Sequence, residues 1–262
     1  MANMTSSVSA SQVAGELAGA TFEEIPALVE HYREDPRQQV IKACERALKR
    51  HAKELAERER VNDMYELMHE LGGDGVVVGV DEVGRGSVAG PLTVCAVCLP
   101  MEPRIWGIND SKKLTPARRE LLSVKIAEVA TAIGFCHIAP KDIDEMGMAR
   151  AIRAAVVGAV ADTGLEPDCV LMDGNPLGAV PHERDVVKGD AKIACIAAAS
   201  IMAKVTRDEM MVEYDAEYPE YHLAESKGYA SHEHIEAIRK HGLCPLHRVS
   251  FCGNFLQTER LF

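Results

Sequence analysis

The sequence predicts an α/β fold with a helical region before it and a small helical segment after it. Short apolar segments of strand length alternate with longer segments in which apolar residues recur at helical spacing. Hydrophobic residues make up 47% of the 262 residues, which is enough for one sizeable core with an appendage. We therefore expect a helical N-terminal extension at 1–72, an α/β domain at 73–219, and a C-terminal helical segment with a tail at 220–262.

Residues 1–72 carry the signals of helices. Thr21 and Glu24 have the spacing of a capping box, and Asp35-Pro36 is typical of a helix start. Charges of both signs alternate between Lys49 and Arg60, which favours a solvated helix face over a duplex-binding arm. Four apolar residues recur at helical spacing: Ile41, Cys44, Leu48 and Leu55.

The central region alternates between predicted strands and predicted helices. The apolar segments predict strands at 76–81, 92–99, 133–139, 169–173 and 184–188. The helical patterns predict helices at 116–131, 141–163 and 190–216. The first two strands are close enough along the chain to form a hairpin. After Tyr218-Pro219, residues 220–250 predict a small helical segment.

Carboxylates stand at the ends of these predicted elements. Asp81 and Glu82 end the first strand, Asp173 ends the fourth, and Asp190 stands at the start of a long alanine-rich helix. If their strands are parallel neighbours, Asp81 and Asp173 converge at the carboxyl edge of the sheet. Crowded carboxylates repel one another unless cations neutralise them. Oxygen ligands favour Mg²⁺ or Mn²⁺ over zinc, so the four acids predict a divalent-metal site.

A glycine-rich turn follows the first two acids. Gly84, Gly86 and Gly90 let the backbone approach a bulky ligand closely. Their spacing, G-x-G-x-x-x-G, differs from the G-x-G-x-x-G of dinucleotide sites, and the acids precede the turn instead of following it. Asp81 and Glu82 taken alone are also compatible with ordinary loop carboxylates, but the same pattern recurs at the later acids.

The chain resembles the bacterial ribonuclease HII family. Seven motifs carry the resemblance, in the family's order: Asp81-Glu82-Val-Gly-Arg-Gly-x-x-x-Gly90-Pro91, Asp110-Ser-Lys-Lys-Leu114, Asp173-Gly174, Lys188-Gly-Asp-x-Lys192, Ala198-Ala-Ser-Ile-x-Ala-Lys-Val-x-Arg-Asp208, Lys227-Gly-Tyr229 and His247-Arg-x-Ser-Phe251. The resemblance implies a ribonuclease H-like catalytic domain at 73–219, a mixed five-stranded sheet flanked by helices. It also implies an endonuclease that hydrolyses the RNA strand of RNA–DNA hybrids. On duplex DNA, such an enzyme nicks 5′ to embedded ribonucleotides and leaves 5′-phosphate and 3′-hydroxyl ends.

The resemblance assigns roles to two groups of residues. The four acids, Asp81, Glu82, Asp173 and Asp190, match the family's catalytic, metal-binding carboxylates, which hold two cations at the scissile phosphate. A second group is implied to bind the substrate: Gly84, Arg85, Gly86, Ser111, Lys112, Lys192 and Tyr229. The backbone of the Gly-Arg-Gly turn would read the ribose 2′-hydroxyl, and Tyr229 would stack on the adjacent deoxyribose.

Phosphate contacts are expected from lysines near a helix start. Ser111 and Lys112 precede Thr115, a predicted N-cap, and Pro116 at the first helical position. Lys192 follows Asp190 directly. Two further basic residues of the same helix, Lys204 and Arg207, have the alternative of a solvated face with an ion pair to Asp208. The net charge of −11 lacks the basic excess usual for nucleic-acid binders, so we expect modest, salt-sensitive affinity that depends on bound cations.

The eight cysteines do not have the spacing of a zinc site. Cys95 and Cys98 lie inside an apolar strand, while Cys244, His247 and Cys252 are too few and too irregular. We expect His232 and His234 to face solvent on a helix. No apolar run reaches membrane-spanning length and no export signal is visible, so we expect a monomeric cytoplasmic protein. Residues 257–262 are too weak a signal to predict a sliding-clamp contact.

Two other functions fit the sequence less well. The related ribonuclease HIII acts on ribonucleotide runs, but the helical, charge-rich residues 1–72 and the matches at the glycine turn and Tyr229 speak against it. A non-catalytic module that binds RNA–DNA hybrids would be expected to lose a metal carboxylate, and all four are present.

Overall fold

The computed structural model describes residues 8–256, so residues 257–262, considered above for a clamp contact, lie outside the described residues. The chain forms two compact units, residues 1–60 and 61–262. The division at 72 and 219 expected from the sequence stays a prediction. Within residues 8–256, no helix combines the length and the apolar character that a membrane span needs.

The first unit is helical, as predicted. It contains α1 (Ala10–Gly19), α2 (Ile25–His31) and the first part of α3 (Gln38–Gly72). Thr21 does not begin a helix: its N–H donates to the Glu24 carboxylate at 2.9 Å, but α2 starts at Ile25. The predicted apolar positions lie on a helix, yet the larger ones are exposed, since the packed face of α3 is formed by Val40, Ala43 and Ala47.

The second unit is built on a mixed five-stranded sheet. Its strands are β1 (Val77–Val83), β2 (Leu92–Cys98), β3 (Ala132–Ile138), β4 (Cys169–Asp173) and β5 (Glu183–Val186). The spatial order is β3-β2-β1-β4-β5. Strands β1, β2 and β3 form an antiparallel meander, while β4 runs parallel to β1 and β5 runs parallel to β4. The predicted hairpin and mixed sheet are therefore confirmed.

Helices cover both faces of the sheet. They are α4 (Pro116–Val129), α5 (Pro140–Met146), α6 (Met148–Asp162), α7 (Ala194–Glu217), α8 (Leu223–Ser226), α9 (His232–His241) and α10 (Val249–Cys252). Thr115 caps α4, as predicted, by accepting from the Arg118 N–H at 3.3 Å. The single helix predicted at 141–163 is wrong: Gly147, at φ +79°, ends α5 and begins α6. The helix predicted from 190 starts at Ala194, after a 3₁₀ turn at Gly189–Ala191.

Helix α7 lies unusually close to β1 because small residues meet at the contact. A side chain at Gly79 would overlap the backbone of Cys195. Ala197, Ala198 and Ala199 of α7 are fully buried in the core on the same side of the sheet. Helix α6 packs on the opposite face, against Val78 and Val80. This close approach sets the start of α7 beside the ends of the two central strands.

Candidate active site

Two of the predicted acids lie side by side on the central strands. Val80 of β1 pairs with Met172 of the parallel strand β4, so Asp81 and Asp173 are the next residues on adjacent strands. Side chains alternate along a strand, so Asp81 shares with Gly79 the face covered by α7. The prediction of parallel neighbours is confirmed. Strand β1 continues to Val83, however, so Asp81 and Glu82 lie inside the strand and do not end it.

Asp190 joins this group from the turn before α7. The Asp173 carboxylate accepts from the Gly189 N–H at 2.7 Å, which fastens the 3₁₀ turn to the end of β4. Asp190 is 6% exposed and Asp81 is 8% exposed. The four acids Asp81, Glu82, Asp173 and Asp190 are called the carboxylate cluster below.

The electrostatics of the carboxylate cluster are unfavourable to its own charges. Burial and the charges of Glu82 and Asp173 raise the pKa of Asp81 well above its ordinary value, against a hydrogen bond from Ser200. Burial also raises the pKa of Glu82, with Asp173 adding to it and Arg85 opposing it. Burial and the charge of Asp173 likewise raise the pKa of Asp190. Like charges are thus buried together without enough internal compensation.

Lys112 brings positive charge to this group, as Arg85 does at Glu82. Partial burial works against its charge, but Asp81, Asp190, Asp110 and Asp173 outweigh that effect and raise the pKa of Lys112. The side chain is exposed, on the 3₁₀ turn Ser111–Lys113. Lys112 therefore lies in the field of these acids, while its expected contact with phosphate stays a prediction.

Asp110 is a fifth acid at the site, and it received no role from the sequence. Its carboxylate accepts from the Lys112 N–H at 2.9 Å and also lies within hydrogen-bonding reach of Asp190. The signal was its position directly before two lysines in a motif already singled out. As the N-cap of the turn, Asp110 orients the backbone that carries Lys112.

Ser111 is buried beneath the same turn. Its hydroxyl lies 3.0 Å from that of Ser200 on α7, and the Ser200 side chain is hydrogen-bonded to Asp81. The Ser111 hydroxyl thus faces the interior, where it joins the lysine turn to the carboxylate cluster. The sequence predicted a phosphate contact for Ser111 and gave no role to Ser200, although Ser200 is part of the Ala198-Ala-Ser-Ile motif.

The carboxylate cluster has the donor chemistry of a site for hard divalent cations. All four side chains offer oxygen, and burial of mutually repelling carboxylates is relieved by bound positive charge. Among residues 8–256, no three His, Cys, Asp or Glu side chains lie close enough to hold an ion as they stand. The donor atoms are nevertheless all carboxylate oxygens, the ligands that hard divalent cations prefer. The residues therefore fit a divalent metal.

The glycine turn lies directly after Glu82. Gly84 has φ +84°, and a side chain there would overlap the Arg207 guanidinium, so this position needs glycine for two reasons. Its carbonyl accepts from the Ser87 hydroxyl at 2.9 Å. Arg85 and Gly86 are exposed at the tip of the turn. The turn is thus anchored at Gly84 and open at its tip.

Two buried arginines, Arg207 and Arg248, donate hydrogen bonds to backbone carbonyls of the turn. We call this pair the arginine clamp. Arg207 donates to the carbonyls of Pro91, Ala89 and Lys227 at 2.9, 3.1 and 2.8 Å. The solvated face proposed for Arg207 is wrong, because the side chain is fully buried.

Arg248 completes the clamp from the C-terminal segment. It donates to the carbonyl of Gly90 at 2.9 Å and to that of Arg85 at 3.1 Å. The second of these bonds reaches the tip of the glycine turn itself. Arg248 was present in the His247-Arg motif but received no role from the sequence.

Tyr229 belongs to a segment that is bonded to the glycine turn. The Gly228 carbonyl accepts from the N–H groups of Val88 and Ala89 at 2.8 and 3.0 Å. Tyr229 is 40% exposed, and the Arg207 guanidinium lies 5.7 Å from the centroid of its ring. The turn and Tyr229 are therefore parts of one hydrogen-bonded assembly.

Comparison with known proteins agrees with these observations. The ribonuclease HII family model matches residues 78–254, and the model of the ribonuclease HII N-terminal domain matches residues 9–71. The chain belongs to the ribonuclease HII family. It is a ribonuclease H endonuclease.

Curated relatives and solved structures are similar to most of the chain. Ribonuclease HII from Ruminiclostridium cellulolyticum is 44% identical over 204 residues, which cover 77% of this chain and 80% of that protein. Ribonuclease HII from Moorella thermoacetica is 48% identical over 198 residues, covering 74% and 96%. The crystal structure of the ribonuclease H2 from Pyrococcus horikoshii OT3 has a TM-score of 0.59 at 27% identity, covering 70% of this chain and 99% of that one.

Two other lysines of this ribonuclease HII chain have different surroundings. Lys192 is exposed and donates to the Val187 carbonyl at 2.9 Å. Lys204 forms the predicted ion pair with Asp208 at 2.7 Å. The cysteines with described positions are all free thiols.

The histidine prediction is half wrong. His232 is exposed, but His234, two residues later on α9, is fully buried. Because α9 turns by about 100° per residue, residues two apart face opposite sides of the helix. His234 faces His247 of the C-terminal segment, which lies next to Arg248.

Proposed function

We propose that this chain hydrolyses the RNA strand of RNA–DNA hybrids and nicks duplex DNA 5′ to embedded ribonucleotides, leaving 5′-phosphate and 3′-hydroxyl ends. One observation carries the proposal. The carboxylate cluster lies directly beside a glycine turn whose tip, Arg85 and Gly86, is exposed. The buried Arg248 bonds to the tip at the Arg85 carbonyl, and the buried Arg207 bonds to the end of the turn at the Pro91 carbonyl. Phosphate cleavage at the carboxylates of β1 would thus take place next to recognition of a sugar hydroxyl at the turn that follows β1.

The carboxylate cluster is assigned to hold Mg²⁺ or Mn²⁺. Such ions, when bound, stabilise charge on phosphate oxygens and lower the pKa of a water. Asp81 and Asp190 are buried, and Asp173 is fixed by the Gly189 N–H, so their positions are set by the fold. The raised pKa values of Asp81, Glu82 and Asp190 support the assignment, because burial and neighbouring carboxylates disfavour the charged forms that a bound cation would stabilise.

Phosphate binding is assigned to Lys112, with Lys192 as a second contact. Lys112 is exposed, and its backbone is oriented by Asp110. Phosphate contacts position a duplex without reading its sequence. Ser111 acts from beneath by tying the turn to Ser200. The chain's net charge of −11 makes these lysines the more necessary for attracting a polyanion.

Recognition of the ribonucleotide is assigned to the glycine turn and Tyr229. The backbone of Arg85 and Gly86 at the exposed tip can approach a ribose 2′-hydroxyl, which both donates and accepts hydrogen bonds. The exposed Tyr229 ring stacks on the deoxyribose that follows the ribonucleotide. Because the two elements are bonded through Gly228, their spacing is fixed.

Three labelled duplexes test the proposal: all-DNA, DNA with one ribonucleotide, and RNA–DNA hybrid. Each is incubated with wild type, Asp81→Asn and the control Asp74→Asn, in Mg²⁺, Mn²⁺ or chelator. Asp74 is an exposed acid just before β1, so its variant should cleave like wild type. We expect wild type to cut the last two duplexes only with metal, and Asp81→Asn to cut neither.

The cut position and the preferred substrate decide between activities. Nicks on the 5′ side of the single ribonucleotide, with 3′-hydroxyl ends that a polymerase can extend, support the proposal. Cleavage confined to ribonucleotide runs would contradict it and favour a ribonuclease HIII-like activity. Binding of the hybrid without cleavage by wild type would indicate a recognition module instead.

A further inference from the structure

A buried histidine pair lies behind Tyr229. His234 on α9 is fully buried and His247 is 3% exposed. Their Nε2 atoms are 3.1 Å apart. Tyr221 packs its ring against His247, with 4.8 Å between the centroids. Neither histidine belongs to the carboxylate cluster or the arginine clamp, and the proposed function gives neither a role.

The hydrogen-bond partners fix the direction of this pair. The Tyr229 carbonyl, 2.9 Å from His234 Nδ1, can only accept, so Nδ1 carries the hydrogen. The Cys244 N–H can only donate, and it lies 3.0 Å from His247 Nδ1, which therefore accepts. In neutral rings, His247 Nε2–H must then donate to His234 Nε2. One directed chain runs from Cys244 through both rings to Tyr229.

The backbone of His247 is fastened to the glycine turn at the same time. His247 forms an antiparallel bridge with Ala89. On either side, the Gly90 N–H donates to the Leu246 carbonyl at 2.8 Å, and the Arg248 N–H donates to the Val88 carbonyl at 2.8 Å. His247 thus touches the turn with its backbone and reaches towards Tyr229 with its side chain. The pair links the two elements assigned to ribonucleotide recognition.

We propose that His234 and His247 are positioning residues that set Tyr229 relative to the glycine turn, and so control discrimination between an isolated ribonucleotide and a continuous RNA strand. The inference rests on the proposed role of Tyr229. A tyrosine held through its own carbonyl has its backbone orientation fixed, and the exposed ring then presents one face to the duplex. The Tyr229 carbonyl also accepts from the Ser231 N–H at 2.8 Å. Loss of the His234 bond removes one of these two donors, and so loosens the orientation of Tyr229, without touching the carboxylate cluster.

The surroundings keep the pair neutral. Burial lowers the pKa of His234, with the charge of His222 adding to the effect and the Tyr229 carbonyl opposing it. Burial and His234 lower the pKa of His247 to about 4. Two protonated rings would place N–H groups against each other at Nε2, so the directed chain needs the neutral state.

The test compares variants that keep or lose the donor to Tyr229. The variants are His234→Ala, His234→Asn, Tyr229→Ala, the double variant His234→Ala/Tyr229→Ala, and the control Ile238→Ala. An asparagine amide nitrogen takes the place of His Nδ1 and can still donate to the Tyr229 carbonyl. Ile238 is fully buried on the same helix, one turn further on, and measures simple loss of packing. The measured quantity is kcat/KM on the single-ribonucleotide duplex divided by kcat/KM on the hybrid.

We expect His234→Ala and Tyr229→Ala each to lower this ratio by roughly 10-fold, the scale of one stacking contact. His234→Asn should recover most of the loss. The double variant should match Tyr229→Ala within about twofold, since both changes remove one function. Ile238→Ala should lower the melting temperature and leave the ratio at its wild-type value.

Three outcomes would overturn the inference while leaving the proposed role of Tyr229 intact. The first is a kcat/KM ratio in His234→Ala that equals the wild-type ratio. The second is a fall of this ratio in Ile238→Ala as large as the fall in His234→Ala. The third is a double variant in which the two losses multiply. An unchanged ratio in Tyr229→Ala would overturn the proposed role of Tyr229 together with this inference, whereas multiplied losses would overturn the inference alone.

Discussion

The carboxylate cluster and the arginine clamp both adjoin the glycine turn, and their charges are stabilised in opposite ways. In the clamp, Arg207 and Arg248 each donate to several carbonyls of the chain. In the cluster, carboxylates face one another, and the pKa of Asp81 is raised by burial and by its acidic neighbours. A buried charge satisfied within the chain supports structure, while one left unsatisfied is available for an outside partner.

Titration separates the two sets further. Burial and the charge of Arg207 lower the pKa of Arg248 to about 10, so Arg248 is still charged at neutral pH. Its hydrogen bonds to carbonyls therefore keep a full cationic donor. The clamp needs nothing from solution to hold the turn. The carboxylate cluster, by contrast, gains stability from any divalent cation that binds it.

The largest expected effect is on turnover in the carboxylate cluster. Asp173→Asn keeps the shape and an oxygen that can accept from Gly189, but removes a charge. We expect cleavage of the hybrid to fall by a factor on the order of 10³ or more, because metal-assisted stabilisation is worth several kcal/mol.

Asp185→Asn is the matched control for that measurement. Asp185 lies on the neighbouring strand β5, where it pairs with Met172, and is outside the cluster. Its variant should keep turnover within about threefold of wild type in the same steady-state assay, a factor equal to less than 1 kcal/mol. Equal losses in both variants would show that strand integrity, not the charge of Asp173, governs turnover.

The next effect is on stability, through the arginine clamp. Arg207→Met leaves the carbonyls of Pro91, Ala89 and Lys227 without their donor. At about 1–3 kcal/mol for each buried unsatisfied group, the free energy of unfolding should fall by about 3 kcal/mol or more.

Lys204→Met, on the same helix, is its control. Lys204 has a partly exposed ion pair with Asp208, so its loss should cost about 1 kcal/mol or less. Denaturant unfolding of both variants measures the difference. A similar fall in the free energy of unfolding for both variants would mean that Arg207 stabilises the fold no more than a surface ion pair does.

This contrast also explains which features the sequence could predict. The proximity of Asp81 and Asp173 was predictable because each follows an apolar segment, and parallel neighbouring strands bring such positions together. Arg207 was not, since a charged helical residue normally faces solvent, and its partner carbonyl at Pro91 is 116 residues away in the chain. His234 was misjudged for the same reason: its partner His247 is brought to it only by the fold.

Local signals were also incomplete for the secondary structure. Gly147 interrupts what the apolar pattern alone treats as one helix, because its left-handed backbone ends α5 and the next residue starts α6. In α3, the spacing of Ile41, Leu48 and Leu55 correctly indicated a helix. It did not indicate the packed face, which uses the smaller Ala43 and Ala47.

A pH effect should arise from His247, next to the clamp. Its pKa falls to about 4 in the folded protein, below the ordinary value of 6.5, so the unfolded chain binds more protons between these values. The contribution of the neutral His247 to the free energy of unfolding is therefore fully present above pH 6.5 and is lost as the pH falls towards 4. The full loss is about 3 kcal/mol.

His247→Gln checks this pH effect, since it keeps a donor at the Nε2 position but does not titrate. Urea unfolding at pH 4 and pH 7 should show a smaller pH-dependent loss for this variant than for wild type. The control His232→Gln, at an exposed position on α9, should follow wild type. Parallel curves for His247→Gln and wild type would contradict the burial of an uncharged His247.

The smallest expected effect concerns Lys112 and substrate binding. Lys112→Ala should weaken binding of the hybrid about equally for all sequences, because a phosphate contact reads no base. The slope of log affinity against log salt should become shallower by about 0.9, the value for one lost phosphate contact. Lys113→Ala is the control, since Lys113 is the exposed neighbour on the same turn. An unchanged slope for Lys112→Ala would remove Lys112 from the interface.

The most direct test of the contrast is the melting temperature of wild type and Asp81→Asn, each in chelator and in Mg²⁺. If burial of these mutually repelling acids destabilises the metal-free fold, Asp81→Asn has a higher melting temperature than wild type in chelator. The reason is that the substitution removes a desolvated acid. Mg²⁺ should then stabilise wild type much more than the variant. A variant that melts below wild type in chelator, and gains as much from Mg²⁺, would contradict the account.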